Sequence, residues 1–190
     1  PVAPSAALSF GDSVHKTLRD FYQKIKNGEK LAKEDLLKLL DNNWSSIGYN
    51  SKEHEKEMHK KGEQILSEFY QKVDWQNLPI ALEQPFTIRV SPTLRVGGKI
   101  DRIDEKNGQL EIIDYKTGRM PEQKEIDNSL QMTIYGLAAT DLELYNRKPE
   151  DVTMIFYYLE PMELRSTTRT KEQLKTASEE IIKKAAEIEK

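Results

Sequence analysis

The chain has 190 residues, a formal net charge of −3 and no cysteine. This length suits a single domain with its own core. The missing thiols exclude disulfides, zinc-thiolate sites and iron-sulfur clusters, and they fit a reducing, cytoplasmic compartment. No run approaches the roughly 18 apolar residues that a membrane span requires. The acidic balance argues against coating of nucleic acid by bulk charge, although a local basic groove is compatible with it.

Helices are predicted over most of the first 75 residues. Ser9 is expected to cap a helix over residues 10–27, because apolar residues then recur at helical spacing. A shorter helix is predicted over residues 33–44, and Ser51 is expected to cap a charged helix over residues 52–73. These elements predict a helical layer before the first strand.

Two histidines lie in the charged helix. His54 and His59 stand among lysines and glutamates. We therefore expect both to be solvated and to bind no metal.

The apolar period changes to that of strands near residue 80. Strands are predicted over residues 80–90, 94–105 and 110–116. Asn107 and Gly108 separate the last two, and Asn-Gly between such runs is a strong indicator of a two-residue hairpin turn. The second and third strands should therefore pair.

The last third alternates again between helix and strand. One helix is predicted over residues 125–144, followed by strands over residues 152–159 and 162–169. Thr170 and Gln173 form a capping-box pattern for a final helix. This order predicts an α/β fold with a mixed central sheet of about five strands flanked by helices. The helix before the fourth strand would serve as the crossover.

Acidic residues converge on the predicted hairpin. Side chains alternate along a strand, so Asp114 and Lys116 share one face, and pairing brings Asp101 close to Asp114. Two carboxylates placed together beside apolar strands repel each other and lose hydration. A divalent cation would remove that penalty.

Several short motifs occur in a recognisable order along the chain. They are Phe10-Gly11 with His15, then residues 98–101, then Ile112-Ile113-Asp114-Tyr115-Lys116-Thr117-Gly118, then Gln131 and Tyr135. This set resembles the PD-(D/E)XK nuclease superfamily, specifically its RecB-like branch found in helicase-nuclease proteins. The likeness spans residues 10–160 and implies a restriction-endonuclease-like core.

The resemblance also implies the chemistry of the site. Its metal ligands would be His15, Asp101, Asp114 and the backbone carbonyl of Tyr115. Lys116 would be the catalytic lysine, with Gln131 and Tyr135 lining the site beside the catalytic carboxylates. Oxygen ligands suit Mg²⁺ or Mn²⁺, and an imidazole shifts the preference toward Mn²⁺. The divalent ion would activate a water for attack on the phosphate.

Each of these residues also has a simpler interpretation. His15 would be a core histidine bonded to a carbonyl, Asp101 would pair with Arg102 or Lys99, and Gln131 and Tyr135 would merely edge a helix. Glu83 is attributed to a strand start and left out of the site. Basic residues near the motifs are candidates for contacts with a phosphate backbone: Arg95, Lys99, Arg102, Arg119 and Lys124.

The leading hypothesis is a metal-dependent DNA nuclease. By the resemblance it would leave a 5′-phosphate and a 3′-hydroxyl, act on single strands or duplex ends, and serve repair or recombination. The residues leave exonuclease and endonuclease action both open. The chain begins nine residues before the Phe-Gly segment and lacks an initiator Met. We therefore expect a single nuclease domain, residues 1–190, excised from a larger protein with a helicase region or subunit. The alternative is a catalytically silent module that binds DNA or a partner protein.

Overall fold

A computed structural model describes residues 5–141 and 143–188. Within it the chain divides into two compact units. The first unit contains the residues up to Leu78, together with Tyr115–Met120 and Tyr157–Glu163. The second contains Pro79–Asp114, Pro121–Phe156 and the residues from Leu164 onward. The chain thus passes from one unit to the other within a strand, between Asp114 and Tyr115.

Helices and strands follow one another as an α/β arrangement. The helices are α1 (Ala6–Lys26), α2 (Lys33–Asn43), α3 (Lys52–Lys72), α4 (Gln123–Asp127), α5 (Leu130–Thr140) and α6 (Lys171–Ile188), with a 3-10 turn at Pro149–Asp151. The strands are β1 (Ala81–Arg89), β2 (Arg95–Lys106), β3 (Gln109–Lys116), β4 (Val152–Tyr158) and β5 (Glu163–Thr167). None of the helices in the described part of the chain is both long and apolar enough to cross a bilayer.

The core of the first unit is formed by α1, α2 and α3. Its fully buried side chains include Leu18 of α1 and Leu66 of α3, which lie at the helical spacing of apolar residues. The start of α1 differs from the prediction. Ser5, not Ser9, caps the helix by accepting a 3.3 Å hydrogen bond from the amide of Leu8. Ser9 lies inside the helix because the preceding Ala-Ala-Leu segment has high helix propensity.

The predicted cap of α3 is confirmed, whereas one of its histidines is not solvated. Ser51 accepts a 3.1 Å bond from the amide of His54. The ring of His59, however, packs edge-on against Trp44 at 4.7 Å, and its Nε2 lies 2.9 Å from Oδ1 of Asp41. The prediction of a solvated His59 is wrong because α2 supplies neighbours that the pattern of α3 does not reveal.

Most of the sheet belongs to the second unit. Its strand order is β1-β2-β3-β4-β5, and the pairs β1/β2 and β2/β3 are antiparallel. Asn107 and Gly108 have φ of 52° and 82°, as a type I′ hairpin turn requires, so the predicted hairpin is confirmed. The predicted fold class, an α/β fold with a mixed five-stranded sheet and flanking helices, is likewise confirmed.

The single helix predicted over residues 125–144 is wrong, since two helices occupy this region. The side-chain Nδ2 of Asn128 donates to the carbonyl of Lys124 at 2.7 Å, and the hydroxyl of Ser129 caps α5 by accepting from the backbone amide of Met132. Asn and Ser side chains compete with the backbone for hydrogen bonds, which favours a helix boundary over continuation. The break makes α5 begin just before Gln131.

The predicted capping box of the last helix is confirmed. The amide of Gln173 donates to Oγ1 of Thr170 at 3.2 Å, and the amide of Thr170 donates to Oε1 of Gln173 at 2.8 Å. Two backbone donors at the start of α6 are therefore satisfied reciprocally.

Candidate active site

The central group of the candidate site is the carboxylate of Asp114, near the end of β3. Asp114 is only 4% exposed. Its Oδ1 accepts 2.8 Å hydrogen bonds from the hydroxyl of Tyr135 and from Nε2 of Gln131. Gln131 and Tyr135 lie one turn apart on α5, and their polar ends are 3.0 Å apart. Residues four apart share one face of a helix, and this face of α5 points to Asp114.

The phenol of Tyr135 is held in its neutral form. Burial raises the pKa of Tyr135 strongly, and the charge of Asp114 and its hydrogen bond to the phenol raise it further. The hydroxyl also lies 3.2 Å from the backbone carbonyl of Lys99. Because a phenol has a single hydrogen, Tyr135 shares it between two acceptors and acts as a donor across the physiological pH range.

The second predicted carboxylate is near the first. Arg102 of β2 pairs with Ile113 of β3, and the next residues along the two antiparallel strands are Asp101 and Asp114. The charge of Asp101 also contributes to the raised pKa of Tyr135. The structure therefore brings Asp101, Asp114, Gln131 and Tyr135 into one neighbourhood of the second unit.

The remaining predicted site residues belong to the first unit. The ring of His15, on α1, meets the ring of Tyr115 edge-on with centroids 6.1 Å apart. The carbonyl of Lys116 accepts a 2.9 Å bond from the amide of Leu159. Asp114 and Lys116 are two residues apart in β3, so their side chains leave that strand on the same side. The placement of His15 beside Asp114 stays a prediction.

The donor set fits a hard divalent cation. Among the described residues, no three His, Cys, Asp or Glu side chains are grouped as metal ligands. Mg²⁺, however, is commonly bound through one or two carboxylates while it retains several waters. Asp101 and Asp114 offer such a pair, and the hydrogen bonds to Oδ1 of Asp114 are of the kind that orients a ligating carboxylate.

Comparison with known proteins agrees with this geometry. A family model described as the PD-(D/E)XK nuclease superfamily matches residues 1–190. The chain belongs to the PD-(D/E)XK nuclease superfamily. Members are in general nucleases that bind nucleic acid and use divalent metals, and some are inactive. No curated protein matches the chain significantly. The five-stranded mixed sheet is consistent with the restriction-endonuclease-like fold of the superfamily.

One acidic residue on the strand next to β2 was not among the predicted site residues. Glu83 lies in β1 and forms an ion pair with the ammonium group of Lys99. Its φ is +48°, a left-handed value that costs a non-glycine residue on the order of 1 kcal/mol. The only sequence indication was its position two residues before Pro85, which was attributed to a strand start.

One basic residue is removed from the candidate phosphate contacts. Arg102 is 6% exposed, and its Nε and Nη2 donate to the two carboxylate oxygens of Asp104 at 2.6 and 2.7 Å. This bidentate pair is buried, since Asp104 is only 1% exposed. The expectation that Arg102 faces a phosphate backbone is therefore wrong. The strand pattern did not reveal it, because the residue looks like any charged position near a motif.

Proposed function

We propose that this chain is a divalent-metal-dependent deoxyribonuclease of the RecB-like branch, which leaves a 5′-phosphate and a 3′-hydroxyl. The observation that carries the proposal is the buried carboxylate of Asp114, held by Tyr135 and Gln131 near the end of β3. Its hydrogen bonds restrict its orientation, as hydrolysis at a metal site requires. Membership of a nuclease superfamily supports the same chemistry.

The metal ligands in this proposal are His15, Asp101, Asp114 and the carbonyl of Tyr115. Carboxylate and carbonyl oxygens suit Mg²⁺ and Mn²⁺, and the imidazole favours Mn²⁺. The bound ion would supply an activated water and offset negative charge on the phosphate.

The remaining roles follow from charge and hydrogen bonding. The ammonium group of Lys116 offsets the negative charge that develops on the phosphate during in-line displacement, and it orients the attacking water. Tyr135 is neutral, so it orients Asp114 as a hydrogen-bond donor and does not act as the base. Gln131 donates to the same carboxylate oxygen and shares this positioning role.

We further propose that residues 1–190 form one intracellular nuclease domain of a larger DNA repair or recombination protein. A helicase region or subunit would deliver DNA, as single strands or duplex ends, because a domain of net charge −3 attracts a polyanion only through a local patch. With three to five phosphate contacts, log affinity for single strands should fall with log salt at a slope of roughly −2 to −4. Tight, salt-insensitive binding by the domain alone would contradict this dependence.

The test of the nuclease proposal is direct. End-labelled single-stranded and duplex DNA are incubated with the protein and Mg²⁺ or Mn²⁺, with and without a chelator. We expect cutting that the chelator stops. In parallel, Lys116→Ala should lose cleavage, whereas Lys106→Ala, at the exposed end of β2, should cut like the unmodified protein.

The alternative is a silent module that binds DNA or a partner protein. It predicts that no DNA strand is cut with any divalent ion, while the folded domain still binds DNA or a partner protein. That result would overturn the nuclease proposal.

A further inference from the structure

A groove of about 360 Å³ lies beside the Asp114 network, within the second unit. Gln131 and Tyr135, the two residues that hold Asp114, also form part of its wall. An occupant of the groove would therefore contact the same side chains that orient the catalytic carboxylate. The mechanism described above does not use this space.

One wall of the groove is formed by apolar side chains of α5, and another is formed by the backbone of β2. Leu130 and Ile134, one turn apart on α5, line it, and Leu130 is 55% exposed. Gly97 and Gly98 of β2 line it without side chains. A Cβ at Gly98 would stand 2.8 Å from the ring of Phe86, so the glycine makes room for that ring, which also lines the groove. The ring adds an aromatic surface to the apolar wall.

A nucleobase has the shape and polarity of such a groove. Its flat faces are apolar enough to stack on protein side chains, while its edges carry donors and acceptors for backbone and amide groups. Gln131 contributes a polar side chain to the lining, as does Lys99, whose ammonium group is paired with Glu83. The groove shares Gln131 and Tyr135 with the Asp114 network, where the proposed cation would hold a phosphate, and this continuity favours a nucleotide over a peptide side chain.

We propose that this groove receives one unpaired base of the DNA strand whose phosphate is held at Asp114; this inference rests on the proposed nuclease function. A base inside a duplex is stacked and paired, and extracting it costs a few kcal/mol. The groove would therefore select single strands and frayed ends over intact duplex. It would also fix the register of the strand, because Gln131 and Tyr135 belong to both the groove and the carboxylate network.

The experiment measures binding without cleavage. The Lys116→Ala variant, which should bind the strand without cutting it, is titrated in Mg²⁺ with short single strands that carry 2-aminopurine at successive positions. We expect its fluorescence to change at one position near the bound phosphate. Replacing that nucleotide with an abasic one should weaken binding about tenfold, since a stacked base contributes roughly 1–3 kcal/mol.

Leu130→Ala provides the matching protein variant. The side chain is largely exposed, so its removal should leave the fold intact. The substitution should lower the affinity for base-containing strands severalfold and leave the affinity for abasic strands almost unchanged. Leu164→Ala is the control, because Leu164 is 54% exposed and lies on β5 outside the groove lining.

The outcomes separate this inference from the nuclease proposal. Equal affinity for base-containing and abasic strands, with Leu130→Ala behaving like Leu164→Ala, would overturn the base groove even if the protein cuts DNA. A position-specific fluorescence change in a protein that never cuts DNA would support the groove and reject the nuclease proposal.

Discussion

The hydroxyl group of Tyr135 donates a 2.8 Å hydrogen bond to Oδ1 of Asp114, the oxygen that also accepts from Gln131. Outer partners of this kind orient a ligating carboxylate, and their removal typically costs 10- to 100-fold in metal affinity or activity. We expect Tyr135→Phe to lower Mn²⁺ affinity and the cutting rate by a factor in that range. Calorimetric titration and a cleavage assay measure the two effects. Tyr145→Phe is the control, and equal values for both variants would contradict the role.

Asp114→Asn should abolish cleavage and leave the domain folded. The amide oxygen still accepts hydrogen bonds, but the charge that attracts the cation is gone. Relief of repulsion with Asp101 should hold the metal-free free energy of unfolding constant or raise it by about 1 kcal/mol. Urea denaturation and a cleavage assay provide the readouts. Glu111→Gln removes a carboxylate from the other side of β3 and should leave activity unchanged. A collapse of the fold in Asp114→Asn would indicate a structural role instead.

His15 tests the metal assignment separately. If its ring is a ligand, His15→Ala should weaken Mn²⁺ affinity tenfold or more, because a coordinating imidazole is lost. DNA binding in chelator should stay near its original value. His54→Ala, on α3, is the matched control. An unchanged calorimetric titration with Mn²⁺ would remove His15 from the site.

Acid stability should depend on Glu55. Its carboxylate accepts hydrogen bonds from Lys52 at 2.7 Å and from the indole of Trp44 at 3.3 Å, and the Lys52 bond is the main reason why the pKa of Glu55 falls to about 2. A carboxyl group with a lowered pKa in the folded state stabilises above its unfolded pKa of 4.5 and loses that contribution as pH falls toward 2. Glu55→Gln should therefore show a shallower loss of unfolding free energy across this window. Denaturant titration at each pH measures the unfolding free energy of Glu55→Gln and of the unmodified protein. If the two free energies fall in parallel as pH is lowered, Glu55 does not contribute as predicted.

The pair formed by Arg102 and Asp104 should be structural. Asp104→Ala leaves a buried guanidinium without its carboxylate, so we expect a loss of about 3–5 kcal/mol in unfolding free energy. The double variant Arg102→Met with Asp104→Leu should lose less, because no buried charge is stranded. Urea denaturation measures both. If Asp104→Ala changes the unfolding free energy little and weakens DNA binding, Arg102 would again be a candidate for a phosphate contact.

Local patterns predicted most elements because each depends on neighbours in the sequence. The turn at Asn107 and Gly108 needs only two residues that tolerate positive φ, and the caps at Ser51 and Thr170 need only a hydroxyl before a run of helix-forming residues. The boundary between α4 and α5 was missed because the helical apolar period continues through Ser129. The side-chain hydrogen bonds of Asn128 and Ser129 decide that boundary.

The site was partly predictable for the same reason. The positions of Asp101 and Asp114 follow from the alternation and pairing of two strands, and the shared face of Gln131 and Tyr135 follows from helical spacing. The ion pair of Glu83 with Lys99 depends on the backbone conformation of β1, which no short pattern encodes. The partner of Arg102 is only two residues away, at Asp104, but the burial of this pair depends on packing that the strand pattern does not encode.

The ring of Phe86 lies so close to Gly98 that neither residue can change independently of the other. A methyl group at Gly98 would meet the ring at 2.8 Å, whereas no described residue other than its two chain neighbours comes within 4 Å of the missing Cβ of Gly118. Substitutions at the second glycine should accumulate freely with respect to packing, and substitutions at the first should appear only with a smaller residue at position 86. Positions 86 and 98 should therefore covary among related sequences.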